Sequence, residues 1–243
     1  HQSDIIFLST SRVYPMETIG GLHYTEGPTR LELSDDQSVV GVSAAGISEA
    51  FPLEGTRSLY GATKLASELI LNEYLAMYGM RGVINRCGVL TGPWQMGKVD
   101  QGVVVLWAAR HIYEGPLKYI GYGGTGKQVR DMLHIDDLLD LVCYQVDHLD
   151  ALTGRTFNVG GGRAVSASLL ELTGHCQRCT GNTIPIEGVV ENRSADIPLY
   201  ITDNARVTKA TGWTPKRTVE MILEDTCRWI LDNREALAPI LGS

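Results

Sequence analysis

Short apolar runs closed by turn residues alternate along the chain with longer stretches whose apolar positions return every three or four residues. Ile5 to Leu8, Gly82 to Ile84 and Thr156 to Val159, the last running into Gly160-Gly161-Gly162, have the length and composition of buried strands. Between Tyr60 and Met77 the residues Leu65, Leu69, Tyr74 and Leu75 recur at helical spacing, with Ser58 placed to cap the N-terminus and Gly79 to end the helix. Leu138 to Val146 predicts a second helix, and Asp136 and Asp137 ahead of it suit the positive end of its dipole. Buried strands alternating with helices imply an α/β fold with a parallel, doubly wound sheet. Past Gly162 the pattern turns to helices on short connectors: Ser168 to Cys179, Asp203 to Thr211 and Val219 to Asn233, with Pro185 in one link and Trp213-Thr214-Pro215 as the turn before the last. These predict a smaller, mostly helical lobe. The first strand begins at Ile5 with no lead-in, like a strand cut from the middle of a sheet, so its N-terminal neighbours are expected to be missing.

Composition narrows the classes. The chain has 243 residues, 44% apolar and 20% charged, with a net charge of -7, as an ordinary globular protein of one or two domains has. The acidic balance and the absence of a Lys/Arg run argue against nucleic acid or an anionic membrane as partner. No apolar window reaches the roughly 18 residues of a membrane span, and His1-Gln2-Ser3-Asp4 is not a secretory start, so a cytoplasmic enzyme is the expectation. Five scattered cysteines fit reduced thiols. The one CxxC, Cys176 and Cys179, lacks a second pair and His175 stands at the wrong spacing, so no metal site is expected.

Candidate chemistry sits in Tyr60-Gly61-Ala62-Thr63-Lys64. Four residues apart on a helix, the phenol and the ammonium project from one face. A phenol is a poor base at neutral pH, but a neighbouring cation favours phenolate and the helix start adds partial positive charge, which makes Tyr60 a candidate proton acceptor. The pair alone describes a solvated helix face equally well. Upstream, Phe7-Leu8-Ser9-Thr10-Ser11-Arg12-Val13-Tyr14 reads as a strand ending in hydroxyl residues, where a side-chain OH would bridge a substrate hydroxyl and Tyr60; the plain alternative is a Ser/Thr turn. Gly121-Tyr122-Gly123-Gly124-Thr125-Gly126-Lys127 satisfies GxGxxG and the start of a phosphate loop, but its context fails both. Gln128 stands where a magnesium-binding Ser or Thr belongs, and Val129 to Ile135 reads as extended rather than as a helix facing a pyrophosphate. A loop joining two strands of the smaller lobe is expected there.

The strand-end hydroxyls, the Tyr-x-x-x-Lys helix, Arg86-Cys87-Gly88-Val89-Leu90-Thr91-Gly92-Pro93, the stretch Gly126 to Leu138, Phe157-Asn158-Val159-Gly160-Gly161 and Arg193-Ser194-Ala195-Asp196 follow one another over nearly the whole chain. With these, the sequence resembles the extended short-chain dehydrogenase/reductase family of NAD-dependent nucleotide-sugar epimerases and dehydratases. Thr91-Gly92-Pro93 and Gly126-Lys127-Gln128-Val129-Arg130-Asp131 are most like its CDP-paratose/CDP-tyvelose 2-epimerase branch. The resemblance implies a Rossmann-like sheet supplied by residues 1–95 and by a return helix and strand in 136–162, with 96–135 inserted into the substrate lobe and 163–243 completing it. It makes Thr10, four residues before the landmark Tyr14, the catalytic hydroxyl in contact with substrate, Tyr60 the base, and Lys64 the holder of the nicotinamide ribose. Cys87, Gly88 and Val89 would line the nicotinamide end, although many relatives carry Asn or Ser where Val89 stands. Arg130 and Arg193 match positions that grip a nucleotide diphosphate, and Tyr200 matches another substrate-side position. The plain alternative for either arginine is an ion pair with Asp131 or Asp196.

The implied cofactor is NAD, the implied ligand a nucleotide-diphosphate sugar, and the implied assembly a homodimer paired through the Tyr-Lys helix and its neighbour. The implied reaction is a redox-neutral epimerisation in which Tyr60 takes a hydroxyl proton as hydride leaves for NAD, the keto-sugar turns over, and hydride returns to the opposite face. Relatives that act as 4,6-dehydratases carry Asp-Glu directly after the Thr, and glucuronate decarboxylases carry Glu two positions after it; Ser11 and Arg12 stand there instead. Without an acid to protonate a leaving hydroxyl, a dehydratase is disfavoured. A non-catalytic nucleotide-sugar-binding remnant and a reductase using external NADPH remain as alternatives. In the family the glycine fingerprint opens the first βα unit, so on the order of 100 residues at about 30 per unit would precede Ile5, and a longer natural protein is expected. The nucleobase, the sugar and the inverted carbon are not fixed by the sequence.

Overall fold

The computed structural model describes residues 3–97, 101–193 and 196–242. Its principal elements are, in chain order, β1 (Ile5–Thr10), α1 (Leu59–Tyr78), β2 (Gly82–Cys87), β3 (Val89–Thr91), α2 (Val103–Ile112), β4 (Leu117–Ile120), β5 (Val129–His134), α3 (Ile135–Asp147), β6 (Arg155–Val159), β7 (Ser166–Ser168), α4 (Leu169–Thr180), β8 (Ile186–Val189), β9 (Leu199–Tyr200) and α5 (Val219–Asp232). β1, β2 and β6 form a sheet in the order β1–β2–β6 with both pairs parallel. Alternation along the strands sends Ile84, with Ile5 and Phe7, against Leu71 and Leu75 of α1. Val83, with Ile6, Phe157 and Val159, packs instead with Leu138 and Leu141 of α3. Helices thus cover both faces, which is why the middle strand β2 is buried throughout. Among the described residues β1 pairs with β2 alone in this sheet. The parallel register brings Thr10, Cys87 and Val159 level at the C-terminal edge, where open α/β sheets place their ligands.

α1 starts where Ser58 Oγ accepts a hydrogen bond from the Gly61 N–H (3.1 Å) and stops at Gly79, whose φ of 61° only glycine adopts at little cost. Its inward stripe is Gly61, Glu68, Leu71 and Leu75. Leu69 and Tyr74, which the apolar period placed on the core side, are exposed at 60% and 50%. A glycine and a carboxylate on the buried face broke the period from which that side was read.

The C-terminal segment is mainly helical, as its sequence implied, but it also carries the short strands β7, β8 and β9, which the sequence did not show. β5 lies between an antiparallel β7 and a parallel β9 and also pairs in parallel with β3, while β4 and β8 form a separate parallel pair. Strands of two to four residues are too short for alternation to register. The helices α2, α4 and α5 pack together through Val105, Ala109, Leu172, Cys176, Ile222 and Ile230, so the 96–135 segment and the C-terminal segment share one core. No helix of the described residues is long and apolar enough to cross a membrane.

Candidate active site

Thr10 closes β1, and its Oγ1 accepts a hydrogen bond from the Arg12 N–H (3.2 Å), starting the 3-10 turn Ser11–Val13. A Cβ on Gly61 would lie 2.0 Å from the Arg12 carbonyl oxygen. Only glycine admits that approach, so the turn carrying Arg12 and the helix start carrying Tyr60 are held in fixed relation. Two turns further along α1, buried Glu68 accepts from Ser9 Oγ (2.5 Å) and from the fork of Arg86 (Nη2 to Oε2 2.7 Å, Nε to Oε2 3.0 Å). Arg86 also donates to the Tyr14 hydroxyl (3.2 Å), which donates to Asn158 Oδ1 (2.7 Å). This buried network ties α1 to all three strands beneath the edge that carries Thr10. Tyr14, the sequence landmark, is therefore a structural phenol, with its pKa raised by burial.

Lys64 Nζ donates to the Leu8 carbonyl (2.9 Å) and stands 4.9 Å from the centroid of the Phe7 ring, so its ammonium is turned onto β1. Its charge reaches Cys87, yet burial pushes that thiol up to about 12, which makes it a neutral lining group rather than a nucleophile. Thr10 ends β1, Lys64 lies against β1 and Tyr60 stands at the start of α1, and no hydrogen bond among the described residues joins the three side chains.

A cavity of about 780 Å³ opens beside the C-terminal edge of the sheet, a size typical of small-molecule sites. Of the residues expected to form the site, Tyr60, Gly88, Val89, Arg130 and Arg193 line it, whereas Thr10, Lys64, Cys87 and Tyr200 do not. The remaining wall is largely apolar, with Trp107 and Leu106 from α2, Met132 from β5 and Leu172 from α4. Among the described residues its charged side chains are Arg12, Arg110, Lys118, Arg130 and Arg193 against one lining acid, Asp196, with Lys118 also paired to Glu187 (2.8 Å). On a chain of net charge -7, that local excess of positive charge selects an anion.

Arg130 pairs with Asp196 (2.8 Å) and donates to the carbonyls of Val129 and Ile197. The plain ion-pair alternative is thus realised with Asp196, and Arg130 lines the cavity as well. Tyr122 is pushed up to about 12, first by burial and then by Asp196, against the opposing charges of Arg130 and Arg12. Tyr200, expected on the substrate side, is instead buried in the core. Its ring stacks on Tyr14 at 6.4 Å and packs in the cluster holding Phe51 and Ile201.

Three residues to which the sequence assigned no site role help to organise it: Arg12, Glu68 and Asp131. Glu68 was within reach, since it continues the Tyr60–Lys64 helix face at the next i+4 position. Asp131 is fully buried, its Oδ2 accepting from the Gly162 N–H (3.1 Å) and the Thr202 N–H (3.3 Å), so it joins β5 to the segments that leave β6 and β9. Burial pushes its carboxyl up to about 6. The glycine-rich stretch runs from β4 to β5 as a loop with a 3-10 turn at Tyr122–Gly124 and leads into a strand, as its context predicted.

Comparison with known proteins converges on one group. The family described as "NAD dependent epimerase/dehydratase family" matches residues 2–160. A CDP-paratose 2-epimerase from Salmonella typhi is 30% identical over 222 residues, covering 88% of this chain and 60% of the relative. A UDP-glucose 4-epimerase from Erwinia amylovora is 27% identical over 221 residues, covering 85% and 65%. Among solved structures, the UDP-glucose 4-epimerase of Thermotoga maritima with UDP-glucose superposes with a TM-score of 0.72 at 22% identity, covering 95% of this chain and 64% of that one; this likeness speaks to the fold. The chain thus spans under two thirds of the length of each of these relatives.

Proposed function

The chain belongs to the NAD-dependent epimerase/dehydratase family, and from that premise we propose that it binds a nucleotide-diphosphate sugar in the basic cavity and, with NAD, epimerises the sugar. The observation that carries this reading is the cavity itself: among the described residues it is lined by five basic side chains and one acid, together with Tyr60. The diphosphate would lie against Arg130 and Arg193, with guanidinium forks matched to phosphate oxygens. The apolar surface of Trp107, Met132 and Leu172 suits a nucleobase and ribose.

The residues present fit the nicotinamide-ribose end of NAD. A phenol and an ammonium at the C-terminal edge of parallel strands have the donor chemistry for ribose hydroxyls, and Gly88 just past β2 adds no side chain to that edge. Bound NAD would supply a reversible hydride acceptor. Tyr60 would take the carbinol proton and later return it, Lys64 would steady the ribose, and Thr10 would hold the carbinol oxygen. Epimerisation is favoured over dehydration because the sole carboxylate on the described cavity wall, Asp196, is bound to Arg130 rather than free to protonate a leaving hydroxyl. Leu69, Ile70 and Met77, exposed on α1, support pairing of two copies through that helix.

The test is sugar inversion followed by NMR with NAD and a panel of CDP-, UDP-, GDP- and dTDP-sugars. Tyr60→Phe should keep substrate affinity within about twofold and lower turnover by roughly 10²-fold or more. Equal turnover in the variant, or net cofactor reduction in step with substrate loss, contradicts the proposal.

A further inference from the structure

We propose that Arg12 is a substrate-binding residue that holds the β-phosphoryl group of a nucleotide diphosphate, the phosphate bonded to the sugar, and thereby sets a preference for diphosphate over monophosphate ligands. The proposal rests on the reading of the cavity as a nucleotide-sugar site and adds to it a residue and a selectivity. Arg12 lines the cavity on the wall shared with Tyr60. Its backbone is fixed from both sides: its N–H is bonded to Thr10 Oγ1, and its carbonyl sits where any side chain on Gly61 would intrude. The guanidinium therefore starts from a rigid base, which lowers the ordering cost of a contact.

Arg12, Tyr60, Arg130 and Asp196 all line the one cavity, and the charge of Arg12 acts on Arg130 and Tyr122 within it. Two guanidiniums near one carboxylate repel each other, and an anion between them offsets that cost. The order of groups along the ligand then identifies the anion. The reacting carbinol must meet Tyr60 and the nucleotide side of the diphosphate meets Arg130 and Arg193, so the phosphoryl joined to the sugar lies between them, at Arg12. A nucleoside monophosphate has no group there.

Calorimetric titration of the full chain with CMP, CDP, UMP and UDP tests this. The wild-type protein should prefer the diphosphate of each pair. Arg12→Gln should weaken the diphosphate about tenfold and the monophosphate less than about twofold, as loss of one charge-assisted contact implies. Arg12→Lys, which keeps the charge without the fork, should fall between. Equal weakening of both ligands, or none, overturns the role of Arg12. If the Gln variant does not fold, the Lys variant decides alone, and an unchanged diphosphate preference overturns the proposal. A wild-type protein that binds none of the four nucleotides overturns the cavity reading with it.

Discussion

Asp131 carries a charge problem that its hydrogen bonds do not fully solve. Oδ2 accepts two backbone N–H groups, whereas Oδ1 is buried with no partner among the described residues. Burial accordingly raises the folded-state pKa from 3.8 to about 6. Between those values the folded protein keeps a proton that the unfolded chain has released. The stabilisation from the protonated carboxyl is complete below the unfolded pKa and is lost as pH rises through about 6. Asp131→Asn places an uncharged amide in the same space, so thermal midpoints measured across this window should fall with pH less steeply in the variant. The relative change should be on the order of 2–3 kcal/mol, and superimposable pH profiles would contradict the assignment. At this scale the sequence disclosed Tyr60 and Lys64, because their spacing is local. Arg12 and Asp131 were hidden because their meaning comes from partners about 30 residues or more away along the chain, for Arg12 at Gly61 and for Asp131 at Gly162 and Thr202. Tyr200 was misplaced for the same reason, since nothing near it in sequence shows that Tyr14 stacks on it.

Elements were legible where their own residues fixed them. α1 with its Ser58 cap, α4 and β1 stand within a few residues of where the sequence put them, and the structure shows that α4 opens on a Ser168–Glu171 capping box. β2 was read only to Ile84 because Asn85 and Arg86 look like the end of a buried strand. They remain inside it because Asn85 exchanges hydrogen bonds with Gln145 (2.7 and 2.9 Å) and Arg86 pairs with Glu68. α2 went unread because Val103 to Ala109 offers no polar face from which to take a helical period. Gly61→Ala tests the close approach at the start of α1. On an open helix alanine would gain about 1 kcal/mol over glycine. Here the added carbon meets the Arg12 carbonyl, so the variant should lose at least roughly 2 kcal/mol in denaturant unfolding. A stabilised variant would show that the turn and the helix are not locked.

The whole molecule sets an acidic exterior against a basic cavity built where two cores meet, one around the parallel sheet and one around α2, α4 and α5. Composition revealed the exterior alone, since net charge averages over a surface and cannot report that five cations converge on one cavity. Hydrogen exchange with added UDP-glucose or CDP-glucose reads that convergence most directly. Protection is expected in residues 88–90, 102–107 and 128–132, the strand, helix and loop segments that form the wall with Tyr60. Protection confined to segments away from the cavity, such as 134–147, or none with either sugar nucleotide, would contradict a nucleotide-sugar site there.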